Sequence, residues 1–306
     1  MPPTVNFMDE LVHRDDRQPL PATGAGIGLR SAHYAEFLAT RPRLPFVEVH
    51  SENHFAGGRH LEVLLDVRHD TAVSLHGVGL SLGSADRLSE QQLAALKSLV
   101  DRVEPALVSD HLCWSSVGGV YANDLLPLPY TREALDHVAD RIDKVQQHLG
   151  RRILVENVSS YLEFTSSEMS EWDFLAALAR RAGCGVLLDI NNIHVSATNH
   201  GFDPLAYLRA MRADTVGEMH LAGYSVNRVQ GEDGSETEIL IDTHSRPVSA
   251  PVWALYETAL QYLGPKPTLV EWDADLPPLA GLLDEAGRAQ HRLLSAAASL
   301  RVAHAA

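Results

Sequence analysis

Cysteine is nearly absent. Cys113 and Cys184 are the only two in 306 residues, and they lie far apart in no C-x-x-C arrangement. That excludes a disulfide framework and a zinc ribbon. Long apolar runs are missing too: none approaches the roughly 18–20 residues of a membrane-spanning helix. Basic charge is scarce, with 25 Lys and Arg against 40 Asp and Glu and a net charge of −15. Such a surface repels phosphate backbones, so neither nucleic acid nor a membrane is an expected partner. The first residues show no charged-then-apolar signal layout. Residues 1–23 read as a flexible polar lead-in, and a reducing cytoplasm is the expected compartment.

What is present is a repeat of short apolar segments with a polar terminus. FVEVH ends at His50, AVSLH at His76, LVSD at Asp110, ILVE at Glu156, VLLD at Asp189, GEMH at His220 and TLVE at Glu271. An eighth segment, GIGL before Arg30, carries no such residue. Between them lie stretches of helical period with caps, such as Ser89 before EQQLAALKSLVDRV and Thr131 before REALDHVADRIDKVQQHL. Ser170 and Asp173 make a capping-box-like start to a further helix, and others are predicted at 33–40, 204–211, 252–263 and 279–300. Strand–helix alternation repeated eight times predicts a parallel sheet, and eight units favour an α/β fold closed as a (β/α)8 TIM barrel. Gly24, Gly26 and Gly28 are spaced for a tight first strand rather than for a dinucleotide site.

In such a barrel all strand C-termini meet on one face. Three His and four carboxylates would share one cavity, and residues two apart on a strand share a side, so Glu48 joins His50 and Glu218 joins His220 facing inward. An isolated buried charge is very costly. Seven such residues at seven strand ends therefore imply bound cations rather than seven separate structural roles. Asp242 and His244 form a D-x-H pair in the connection after the seventh strand, suited to reaching one ion. After Asp189 comes INNIH, which offers Asn192 or His194; Asn192 is preferred because the loop would have to turn sharply to return His194. Mixed imidazole and carboxylate ligands suit zinc, iron or manganese, in two or three ions. His54 and His111 are candidates to stand behind the ligands, as are Asn53, Asn157 and Asn191 to orient them. The long connections 113–131 and 224–250 leave from the same face and are expected to roof the site.

Several of these motifs are long. EVHSENHF, SLHGVGLSLGS, LVSDHLCWSSVGG, LVENVSSYL, LLDINNIHVSATNHGFDP, GEMHLAGY, LIDTHSRPV and LVEWDADLPPL together resemble the multinuclear non-heme iron-dependent oxidative enzymes, a methanobactin-biosynthesis-enzyme-like family of the xylose-isomerase-like TIM-barrel superfamily. The resemblance runs from about Gly24 to about Leu294. It implies one barrel domain over residues 24–300 holding two or three iron ions, with dioxygen as co-substrate. It also implies oxidative modification of cysteine in a ribosomally made precursor peptide, in many members with a second protein that binds the leader peptide. The family's ligand pattern carries over to His50, His76, Asp110 and Glu156 for one iron. A second would share Glu156 and take Asp189, His220 and Glu271, and a third would take Asn192, Asp242 and His244. His194 stands where relatives often carry an aromatic residue. The segments 114–131 and 224–241 are the expected peptide-binding rim.

Two other chemistries use such barrels. A zinc-dependent hydrolase resembling the endonuclease-four branch needs a basic surface for DNA, which this chain lacks. A manganese-type sugar isomerase relies on a lysine among its carboxylates, and no strand-end lysine exists here.

Overall fold

The computed structural model describes residues 20–305, except 231–233 and 235. Of the expected lead-in over 1–23, residues 1–19 lie outside the described residues. Eight strands close into a barrel: β1 (Ala25–Gly28), β2 (Phe46–His50), β3 (Ala72–Gly77), β4 (Leu107–His111), β5 (Leu154–Glu156), β6 (Gly185–Asp189), β7 (Val216–Leu221) and β8 (Thr268–Val270). Each pairs with the next in parallel, and β8 pairs with β1. This is the (β/α)8 architecture.

Strands buried on both faces read as apolar runs, which is why the eight segments stood out. Val47 and Val49 of β2 pack outward into the layer beneath the helices, while Phe46 joins Ala72 and Leu269 in a separate cluster inside the barrel. Above that cluster the interior turns polar with Glu48, Ser74 and Glu218, all fully buried.

Helices follow every strand: α1 (Tyr34–Thr40), α2 (Gly58–Arg68), α3 (Glu90–Val103), α4 (Arg132–Leu149), α5 (Glu171–Ala182), α6 (Ile190–His200) with α7 (Pro204–Ala210), α8 (Ala250–Leu263) and α9 (Leu279–Ala305). The expected caps form. Ser89, Thr131 and Ser170 accept from the backbone N–H of Gln92, Ala134 and Asp173, and such caps typically contribute about 1 kcal/mol each. Two helices depart from the sequence reading. The INNIH segment is the start of α6 rather than a loop, because the Asp189 side chain caps it by accepting from Asn192 N at 2.6 Å. The α2 helix starts after Gly57 with no side-chain cap and is held by burial of Leu61, Leu64 and Val67.

Both long connections are antiparallel hairpins, Trp114–Val117 with Val120–Leu126 and Ser225–Gln230 with Glu236–Ile241. The first turns on Gly118 and Gly119 at φ 60° and 76°, the left-handed pair a two-residue hairpin turn requires. Asp86 accepts from both glycine N–H groups, at 2.8 and 3.0 Å. Among the described residues no helix is long and apolar enough to cross a membrane.

Candidate metal centre

Glu156, at the end of β5, is the hub. Its Oε2 lies 3.2 Å from His76 Nε2 and 3.2 Å from His111 Nε2, yet has no hydrogen-bond partner. His111 Nδ1 donates to the Gly77 carbonyl at 3.0 Å, because a carbonyl only accepts. On a neutral ring that leaves Nε2 as a lone pair facing a carboxylate oxygen. Burial first, then neighbouring His220 and His50, brings the His111 imidazole down to about 4, so the ring is neutral near pH 7. Two buried acceptors turned toward each other call for a cation between them. His76 is held similarly, with Nδ1 2.7 Å from Ser109 Oγ.

On the other side of Glu156 lies a more acidic half. His220 Nδ1 is 3.1 Å from Glu271 Oε2 and 3.8 Å from Glu156 Oε1, and its Nε2 is 3.3 Å from Glu48 Oε2. Burial opposes a charged imidazole there, but Glu48 and Glu271 outweigh it and hold His220 well above its ordinary pKa. Asp189 brings an unpartnered Oδ2; burial and then Asp242 raise its carboxyl to about 7. His244 Nε2 meets Asp242 Oδ1 at 2.7 Å, and its Nδ1 lies 3.4 Å from Glu271 Oε2. Asn192 Oδ1 is buried without a partner and Asn192 lines the same cavity of about 190 Å³. Below the cavity, Ser74 Oγ stands 3.1 Å from both Glu48 Oε2 and Glu218 Oε2. One hydroxyl proton serves only one of them, and burial beside Glu48 pushes the Glu218 carboxyl well up.

Among the described residues, five sets of three side chains have ligand atoms within 4.8 Å of one another: His76–His111–Glu156, Glu156–Asp189–His220, Glu48–His220–Glu271, Asp189–His244–Glu271 and His50–Glu271–Asp273. They share Glu156, Asp189, His220 and Glu271, so the sets form one connected cluster. Seven of the expected ligands enter these sets: His50, His76, Glu156, Asp189, His220, His244 and Glu271. Asn192 and Asp242 line the same cavity.

Asp110 does not join them. The β4 strand runs one residue past its expected end, and its register pairs His111 with Glu156. Alternation then points Ser109 and His111 inward and Asp110 the other way, where its oxygens accept from His111 N at 2.8 Å and Leu80 N at 3.3 Å. The cluster thus holds His111 where the sequence suggested Asp110.

Other expectations are met differently. Asn157 exchanges hydrogen bonds with the Asp189 backbone, and Asn191 Nδ2 donates to Asp242 Oδ1 at 2.6 Å. His194 lies 3.3 Å from the Tyr224 hydroxyl and does not line the cavity. Asn53 and His54 line a neighbouring cavity instead. Glu48 was legible as inward-facing, but Arg30 and Asp273 were not anticipated. Both follow barrel strands: Arg30 meets His50 and Glu271, and Asp273 meets Arg30, His50 and His244.

Comparison with known sequences is consistent with this reading of the motifs. The model of the RiPP precursor modification enzyme family MbnB/TglH/ChrH matches residues 24–293. The chain belongs to that family. Among its relatives, the UPF0276 protein of Anaeromyxobacter sp. (strain Fw109-5) is 54% identical across 91% of this chain and 95% of its own length. The UPF0276 protein of Acaryochloris marina (strain MBIC 11017) is 53% identical across 88% and 96%. Solved structures share the fold at low identity. A D-tagatose 3-epimerase-like protein superposes with a TM-score of 0.59 at 13% identity, covering 91% of this chain and 100% of the other. Endonuclease IV from Thermus thermophilus gives 0.55 at 16% identity, over 90% and 99%. A xylose isomerase-like TIM barrel protein from Mycobacterium smegmatis, in complex with magnesium, gives 0.56 at 13% identity, over 90% and 97%.

Proposed function

We propose that this protein binds two or three iron ions at the cluster and, with dioxygen as co-substrate, oxidatively modifies cysteine in a ribosomally synthesised precursor peptide. The observation that carries the metal part is the pair of imidazole Nε2 atoms, on His76 and His111, converging at 3.2 Å on an unbonded Glu156 oxygen. Family membership supports the peptide substrate.

In this reading His76, His111 and Glu156 hold one ion. Glu156, Asp189, His220 and Glu271 hold a second, and Asn192, Asp242 and His244 a third. Bound iron supplies redox capacity and a Lewis-acid position for a thiolate. The chain does the rest. Ser109 and the Gly77 carbonyl fix the two imidazole rings, and Asn191 fixes Asp242. Val78, Leu125 and Val158 add apolar side chains to the cavity lining. The two hairpins stand on the face where a peptide enters, with Val117, Val120 and Tyr121 of the first more than half exposed. A second protein that binds the leader peptide belongs to the same reading, as the resemblance of the motifs implies.

The test is metal analysis and Mössbauer spectroscopy on protein purified anaerobically from iron-supplemented cells, followed by incubation with candidate precursor peptides under dioxygen. Two to three irons per chain, with dioxygen-dependent mass change on a cysteine, is the expected result. Zinc or manganese that iron cannot replace would overturn the oxidative reading in favour of a hydrolase or isomerase.

A further inference from the structure

Beside the metal cavity lies a second one of about 210 Å³. The same chain segments wall both. Val158 and Ser159 face the metal cavity while Ser160 and Leu162 face the second, and Leu125 and Leu128 divide in the same way. A peptide crossing the metal cavity therefore has an adjoining recess for a neighbouring side chain.

The recess has a specific chemistry. Tyr130, Phe164, Trp172 and Phe202 line it, with the Trp172 and Phe202 rings 5.0 Å apart. Also in its wall is Glu171, only 8% exposed, whose Oε1 accepts from the Tyr207 hydroxyl at 3.2 Å. Glu163 adds a second carboxylate, 76% exposed, with Oε2 3.9 Å from Nδ1 of His200 in the same wall. No Lys or Arg is among the described residues lining the recess. Glu171 also begins α5, where a carboxylate favours the helix dipole, but that role needs no aromatic enclosure and no cavity. Aromatic faces and carboxylates together attract a cation, and do so more strongly where water is excluded.

We propose that this recess receives a lysine or arginine side chain of the peptide substrate, its stem against the Trp172–Phe202 pair and its charge at Glu171 and Glu163. The inference rests on the reading of the substrate as a peptide. It adds a determinant of which peptides are accepted. Burial raises the Glu171 carboxyl to about 8, and an incoming cation favours its ionised form, so taking up the cation is coupled to loss of that proton.

The test is a displayed peptide library with one fixed central cysteine and randomised flanks, panned on the metal-loaded protein, beside a library with serine at the centre. Lys and Arg should be enriched about tenfold at one fixed offset from the centre, the factor that roughly 1.4 kcal/mol of selectivity gives. Glu171→Gln should bring that enrichment close to the input frequency. Glu163→Lys, a change at an exposed position, should reduce it in a protein whose circular dichroism and metal content are unchanged. Absence of any sequence enrichment, no cationic preference at a fixed offset, or a preference that survives both substitutions overturns the proposal. The two readings fail separately. Cysteine-dependent binding without cationic preference removes the recess and leaves the oxidative reading, whereas equal cationic preference in both libraries supports the recess and counts against the cysteine reading.

Discussion

The Arg30 guanidinium donates to His50, with Nη2 3.2 Å from the imidazole Nε2, and the same nitrogen reaches Glu271 Oε1 at 3.2 Å. Arg30 also binds Asp273 through Nε at 2.8 Å and Nη2 at 2.5 Å. β1, the one barrel strand whose end carries none of the expected ligands, is thus followed by a fixed cation. That cation engages His50 Nε2, an atom of an expected ligand, and it offsets part of the negative charge around Glu271.

Removing one member of a buried charged set leaves the others uncompensated. Arg30→Met should therefore destabilise the metal-free protein by about 3–5 kcal/mol, read from urea unfolding. Bound metal supplies positive charge to the same carboxylates, so the loss should shrink in the loaded protein. An equal loss in both forms would mean that Arg30 acts by packing its stem.

His111 and Asp110 give opposite expectations. With His111 beside Glu156 and Asp110 turned toward Leu80, His111→Gln should cost about one ion per chain, while Asp110→Asn should keep the full complement. Elemental analysis after anaerobic reconstitution reads both. The reverse result would restore Asp110 as the ligand and show that β4 shifts register when metal binds.

Ser109 is not among the expected ligands but sits 2.7 Å from His76 Nδ1. Losing such an orienting partner typically costs 10–100-fold in metal affinity. Ser109→Ala should weaken the ion held by His76 by about tenfold in a chelator competition. Unchanged affinity would mean that the β3 and β4 backbones fix the ring by themselves.

Most of the barrel was readable because strands buried on both faces leave apolar runs, against which a terminal His50 or Glu271 is conspicuous. What was not readable depended on neighbours. In the run Ser109-Asp110-His111 two adjacent residues can both bind metal, and only the pairing of His111 with Glu156 decides which points inward. The α6 helix escaped because buried residues occupy several of its sides, among them Ile190, Asn192, Ile193 and Val195, so no amphipathic period marks it. The first hairpin did have a signal, the Gly118–Gly119 pair between Val117 and Val120. Arg30 was visible but carried no ligand, and its value lies in the carboxylates that the fold brings to it.

That hairpin depends on Asp86, whose carboxylate holds both turn N–H groups. Asp86→Ala should leave metal content intact yet raise the rate of limited proteolysis between Val117 and Val120. Turnover of a peptide should fall with it if the hairpin forms part of the binding rim. Unaltered cleavage would show that the Gly118–Gly119 turn holds without the carboxylate.

Glu171 supplies a pH signature independent of metal. Its carboxyl, ordinarily near 4.5, is raised by burial to about 8 in the folded protein. Between these values the unfolded chain has lost the proton while the folded chain keeps it. Stability must then fall as pH rises through that window, by at most about 1.4 kcal/mol per pH unit from this group, and level off above about 8. Buried Asp110, Glu156 and Glu218 are raised as well and slope in the same direction, so the informative quantity is a difference. Glu171→Gln, which keeps a group able to accept from Tyr207, should flatten the profile between pH 5 and 8 relative to the parent protein, in denaturant titrations at fixed ionic strength. Parallel profiles for the two proteins would show that the Glu171 carboxyl titrates normally despite its burial.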